Sequence, residues 1–273
     1  MHESNYGKYE VPKKLVDLIN LQEKLNAQGF LQYGSFLGQY FKLEKVEMRY
    51  LNTPVDVIPF AWTGADGIHF GFLTDFGQVS SLEDAYIVRV SPMDFDDPVK
   101  LVARNFDDFV ALMIYHRYVA EVLDTSSSKA TIERYLSDQL TDETYPHEEE
   151  VVTVVYEQFM PKPIPSVHDY FQELRDARAA VVVVETDDGI GIVRASANAI
   201  NLQNHFHLER DMQPNLEQVK TYFAHSSLEY KLAFIRDAQS YGILFNEPLL
   251  KQFIIEELQR LSFEDEALRL DAS

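Results

Sequence analysis

Apolar residues fall in two rhythms along this chain. The first half mixes one helical stretch with short runs of strand character divided by turn residues; in the second half the helical beat dominates. Over 11–28, Leu15, Leu18, Ile19, Leu21 and Leu25 recur at helical spacing, with Pro12 in the first turn and Gly29 placed to end the helix. Residues 30–41, rich in aromatics and broken by Gly34 and Gly38, read as a short helix or an irregular packed segment. Lys42 to Leu51 alternates and predicts a strand with one solvated face, its register slipping at Lys45. Val55 to Trp62 and Ile68 to Leu73 predict two strands joined by the loop Thr63-Gly64-Ala65-Asp66-Gly67. Gly71, inside the second, marks a bulge or a close backbone approach. Ala85 to Val90 and Val99 to Ala103 predict two further strands around an acidic loop, Ser91 to Pro98. Asn105 caps a predicted helix that opens Phe106-Asp107-Asp108-Phe109 and runs to about Leu123.

Asp124-Thr125-Ser126-Ser127-Ser128 interrupts the pattern and is the candidate boundary between residues 1–125 and 126–273, as two sub-domains or one continuous domain. Beyond it, Lys129 to Gln139 and Val167 to Arg178 predict helices, and 141–150 a polar loop. Val151 to Met160 is strand by propensity and helix by spacing. Pro161, Pro163 and Pro165 force an extended link. Ala179 to Glu185 and Ile190 to Ala195 predict a hairpin turning at Thr186-Asp187-Asp188-Gly189. Three helices follow: Leu216 to Ala224; Ser227 to Tyr241, with Ser226 as candidate cap and Gly242 as stop; and Glu247 to Leu261, with Asn246 as cap and Pro248 in the first turn. The last residues are expected to fray. The fold class is α+β, an antiparallel sheet packed on helices with a mostly helical C-terminal half.

One stretch is similar to a known family. Ile58-Pro59-Phe60-Ala61, Gly64-Ala65-Asp66-Gly67, Phe70-Gly71-Phe72, Ile87-Val88-Arg89-Val90 and the run Val102-Ala103-Arg104-Asn105-Phe106-Asp107-Asp108-Phe109 together resemble the SUKH superfamily, over residues 52–114. That group includes yeast cell-wall synthesis regulators and bacterial immunity proteins that neutralise toxins. The family's usual helix ending in Leu-Pro plus an aromatic, and its Asn-Gly-Gly loop, are not visible before residue 52. The resemblance implies a non-enzymatic protein-binding module and brings no catalytic residues.

Composition narrows the partners. The chain has 273 residues, 46% of them apolar, enough for a substantial core. It has no cysteine, which removes disulfides, thiol nucleophiles and thiolate metal sites. Against 24 Lys and Arg stand 44 Asp and Glu, a net charge of −20, with the larger share of the excess in 126–273. Nucleic acid and anionic membrane surfaces are repelled by that balance, whereas a basic protein is steered in; solubility alone is the plainer account. No apolar run reaches the ~18 residues of a membrane span. The start, Met1-His2-Glu3-Ser4-Asn5, lacks the basic and apolar regions of a secretion signal, so a cytoplasmic location is expected.

Candidate chemistry is sparse, and no cofactor is expected. Trp62, Asp66 and His69 lie close together on the predicted hairpin, with Asp75 beyond; a histidine among acids can do acid–base work or bind a metal, although a hydrogen-bonded sheet residue is the plainer reading. Asp94, Asp96 and Asp97 crowd the acidic loop but lack the Gly and Glu spacing of a calcium loop. If His205, Phe206 and His207 form a strand, both imidazoles share a face with Glu209 and could hold a metal; a polar surface face is the alternative. The second function class is therefore an enzyme or a metal or small-molecule binder built around His69 or His205/His207.

Overall fold

The computed structural model describes residues 5–43, 45–46, 49–94, 97–139, 146–196 and 205–273. Its centre is an antiparallel meander in chain order: β1 Tyr40–Phe41, β2 Val57–Trp62, β3 His69–Leu73, β4 Tyr86–Val90 and β5 Val99–Ala103. The β2–β3 turn uses Asp66 at φ 50° and Gly67 at φ 71°, the left-handed values that such a turn needs. Gly71 stands opposite Pro59, where the β2–β3 register shifts. A Cβ on Gly71 would lie 2.4 Å from Val57 Cγ1, so the close approach expected there is real.

Helix α1, Lys13–Ala27, buries Leu15, Leu18, Leu21 and Leu25. Its end is fixed by bonds from Gly29 N–H to the Asn26 carbonyl and from Phe30 N–H to the Leu25 carbonyl, both 3.0 Å, with Gly29 left-handed as the sequence requires. Helix α2, Phe106–Tyr115, starts where Asn105 Oδ1 accepts from Asp108 N–H at 2.9 Å. Phe106 and Phe109 pack on Phe60 at ring distances of 5.5 Å each, and Phe60 on Phe72 at 4.5 Å, so the aromatics of the hairpin are core.

Two expectations for this half fail. Among its described residues, 42–51 is not a strand. Arg49, counted on the solvated face, is buried, and its guanidinium donates to the carbonyls of Val57, Thr53 and Pro54, which holds the segment as a loop. The first strand lies earlier, in the aromatic segment 30–41. Nor does α2 reach Leu123: it stops at Tyr115, Tyr118 turns left-handed at φ 54°, and a separate turn, α3 Val119–Val122, follows. Arg89 then takes the carbonyls of Ala120 and Leu123 at 3.1 and 3.2 Å, bonds that a continued helix would compete for.

The second half holds α4 Lys129–Gln139, α5 Glu148–Phe159, α6 Val167–Ala179, the small hairpin β6 Val182–Val184 with β7 Ile192–Val193, then α7 Leu216–His225, α8 Leu228–Ser240, α9 Ile243–Asn246, α10 Pro248–Arg260 and α11 Glu264–Asp271. This is the α+β architecture expected. Helix wins over strand at Val151 to Phe159, because Val151 and Val155, four apart, bury one stripe and three glutamates occupy the first turn. Ser226 is not a cap of α8; its hydroxyl closes α7 on the Tyr222 carbonyl at 2.7 Å. Asn246 ends α9, and Glu247 takes the capping position of α10. The last residues form α11 instead of fraying: Ala267 and Leu270 are buried, and the buried Arg269 donates to the carbonyls of Asn5 and Val55 at 3.0 and 3.1 Å.

Apolar side chains gather in two clusters. The first combines α1, the five-stranded sheet and α2 with residues of α4, α5 and α6; the second combines β6, β7 and α7–α11 with Val55 and Phe76. The division along the chain thus falls between α6 and β6, except that Ile190 in the hairpin loop packs with the first cluster. Between the clusters runs a seam of buried charge. Arg178 of α6 grips Asp75 through two 2.8 Å bonds, Arg236 of α8 grips Asp56, and both arginines donate to the Gly191 carbonyl at 2.8 Å. Burial works against the Arg236 charge, but Asp56, Asp188 and Asp75 outweigh it and hold the guanidinium protonated. Among the described residues, no helix is long and apolar enough to cross a membrane.

Candidate functional site

The residues singled out by sequence do not converge on one site. Trp62 is buried on β2 with the Lys42 ammonium 4.4 Å over its ring, and Asp66 is exposed at the hairpin tip. His69 is buried beneath Tyr50 and Trp62, with ring distances of 5.6 and 6.3 Å. Its Nδ1–H donates to the Gly67 carbonyl at 2.8 Å, which leaves Nε2 to accept from the Thr53 hydroxyl at 3.1 Å. Burial pushes its pKa down to about 4, and the nearby Arg49 lowers it further against the Gly67 bond, so the ring is neutral. Among the described residues no carboxylate is bonded to it; Asp75, the acid expected near it, serves Arg178. His69 is a satisfied sheet residue.

In the acidic loop, Asp97 pairs with Lys100, and Asp94 Oδ1 accepts from Asp97 N–H at 3.4 Å. Asp96 lies outside the described residues. Residues 205–209 form no strand among the described residues, so the condition for a shared metal face is not met and the polar surface face is what the chain shows. The alternation comes from packing on helices: Phe206 meets Tyr222 and Phe234, Leu208 is buried, and His205, His207 and Glu209 face out. His207 pairs with Glu209 at 2.8 Å, while His205 rests on Tyr230 at 5.2 Å. Among the described residues, no three His, Asp or Glu side chains gather as metal ligands would.

The concave feature with unanswered chemistry lies elsewhere. A cavity of about 610 Å³ opens where residues 30–40, Thr63, the α3 turn, α4 and the start of α5 meet. Its walls carry Tyr33, Tyr40, Tyr118, Tyr135 and Phe30 with the carboxyl groups of Glu121 and Glu148; among the described residues, no Lys, Arg or His side chain lines it. Its rim is apolar and exposed, Tyr33 at 89% and Val122 at 53%. Gly38 sets the tightest corner. A Cβ there would stand 2.4 Å from the Tyr118 ring and 2.5 Å from Glu121 Oε1, so both groups press against bare backbone. The buried Gln39 amide donates to Glu121 Oε1 at 2.5 Å, and burial pushes the Glu121 carboxyl up to about 7 against the lowering effect of Arg89 and of that bond. Glu148 meets Arg117 Nε at 3.0 Å. Tyr33, Leu37 and Tyr118, all lining the cavity, are non-glycine residues at φ 53°, 52° and 54°. Such backbone is strained and clusters where function requires it.

Sequence reading missed this site because five separate segments build it. The available signal was the aromatic, glycine-broken run 30–41, which fitted neither period. A second hollow of about 620 Å³ lies between β5, α6 and the β6–β7 hairpin, and its cations are met from within: Arg178 by Asp75, Lys100 by Asp97, Arg175 by the Thr125 carbonyl at 3.3 Å. Neither hollow is lined by His69, His205 or His207. No protein-family model matches the chain, and no curated protein matches it.

Proposed function

We propose that this chain is a non-enzymatic protein-binding module of SUKH type, an immunity or regulatory protein whose acidic surface engages a basic protein partner. The observation that carries the reading is the tyrosine-lined cavity, with its exposed apolar rim, two carboxyl groups and, among the described residues, no basic side chain in its wall. Tyrosine is among the residues enriched at the anchoring centres of protein interfaces, because a rigid amphipathic ring gives large contact area at low entropic cost. The net charge of −20 adds long-range steering of a basic partner and discourages nucleic acid. An enzymatic reading centred on histidine gains no support, since His69 is sealed in the sheet and His205 and His207 lie on an open surface.

The test is affinity capture by the immobilised full chain from extract of its source cells, at low and high salt, beside the Tyr33→Ala variant. A basic protein held at low salt, released at high salt and retained less by the variant is the expected result. Retention that is indifferent both to salt and to Tyr33 would overturn the reading. A toxin encoded beside this chain would assign the immunity form of the proposal.

A further inference from the structure

We infer that the tyrosine-lined cavity receives a single lysine or arginine side chain of the partner, its cation seated among the tyrosine rings and beside the Glu121 carboxyl group. The inference rests on the protein-binding reading above and names what that partner must present.

Elimination by chemistry leads there. At about 610 Å³ the cavity has the volume of a ligand pocket. An anion entering it would meet Glu121, Glu148 and the field of a chain carrying −20. A purely apolar group would fit the rings but would strip water from Glu121 and give its carboxylate nothing in return. A cation satisfies both parts of the wall: the ring faces attract it through their quadrupole, and the carboxylate pairs with it.

The chain's own neighbouring cations are already committed. Arg89 is bonded to Asp124 at 2.9 Å and to two carbonyls. Arg117 meets Glu148 and lies 4.7 Å over the Tyr118 ring. That second contact also shows that a tyrosine of this wall accepts a guanidinium. Glu121 accepts a bond from the Gln39 amide and feels Arg89 only through space; among the described residues no Lys or Arg is bonded to it. The Gly38 corner brings this carboxyl group and the Tyr118 ring to one point, as a cation site requires.

The full chain titrated with a blocked Gly-Gly-Lys-Gly-Gly peptide, its arginine, norleucine and glutamate counterparts, and followed by tyrosine ring proton resonances, tests the inference. A cationic peptide is expected to shift rings of the cavity and to bind about tenfold or more tighter than norleucine, with Glu121→Gln losing about tenfold in affinity. Tyr33→Ala, at an exposed position that does not endanger the fold, is expected to weaken the same binding. Equal binding of norleucine and lysine, an unaffected Glu121→Gln, or no ring shift with either cation would each overturn it. The two readings separate cleanly. A captured basic partner that binds wild type and Glu121→Gln alike removes this inference and leaves docking standing. Lysine-peptide binding without any captured partner does the reverse.

Discussion

Two hollows of nearly equal size, about 610 and 620 Å³, differ in how their charges are answered. Under the β6–β7 hairpin, guanidinium and ammonium groups face carboxylates and carbonyls of the same chain, and Thr186 donates to Asp188 at 2.5 Å. In the tyrosine-lined cavity, Glu121 is bonded, among the described residues, by the Gln39 amide and by no cation. The contrast teaches that volume does not distinguish a binding site from a structural gap. A partly buried acid at the wall with no cation bonded to it is the better pointer, because burying such a group is costly and perturbed acids cluster at functional sites.

The largest effect that tests this contrast is expected from Arg178→Met. Removing one partner of a buried pair leaves Asp75 unanswered, so denaturant unfolding should show a loss of about 3–5 kcal/mol, while lysine-peptide binding by the remaining folded protein is unchanged. Gly38→Ala should cost about 1–3 kcal/mol, as expected for strained left-handed backbone, and here the same change should weaken peptide binding, since the new methyl displaces Tyr118 and Glu121. A Gly38→Ala protein that binds normally would break the assignment of the corner.

Titration offers a finer comparison, since each region holds a carboxyl group pushed up by burial to about 7, Glu121 in the cavity and Asp237 beside the hairpin turn. A raised acid keeps its proton in the folded chain after the unfolded chain has lost it. Its contribution to stability is therefore full below the ordinary values of 4.5 and 3.8 and is lost as pH rises through about 7. Glu121→Gln and Asp237→Asn should each flatten that decline in unfolding measured from pH 4 to 8. His69 runs the other way: held down to about 4, it stabilises the fold above its ordinary 6.5, and that contribution is lost as pH falls through about 4. His69→Asn should remove the acid-side slope. The smallest effect is expected for Tyr33→Ala, within about 0.5 kcal/mol in stability as at other exposed positions, so that any loss of binding there reads on the site alone.

Much of the scaffold was legible in the residues. The β2–β3 hairpin, β4, β5 and the Asn105 cap follow local rules, in which strand propensity, turn glycines and a capping side chain agree with one another. Where reading failed, distant residues decided. Arg49 looks like one polar member of an alternating run until Val57 and Pro54 offer it carbonyls. Arg236 and Arg269 sit at helix positions that sequence alone gives to solvent, and their partners Asp56 and Val55 lie 180 and 214 residues away. The cavity was illegible for the same reason. Tyr33, Tyr118, Tyr135 and Glu121 are unremarkable in their own segments and acquire meaning only when α3, α4 and α5 close over the loop after α1.

Arg269 reaches carbonyls of Asn5 and Val55 across 264 and 214 positions of chain. During synthesis, the sheet and its first helices leave the ribosome long before that guanidinium does. Both oxygens are made long before the group that bonds them, and it is the docking of α11 that ties the backbone ahead of α1 to the entry of β2.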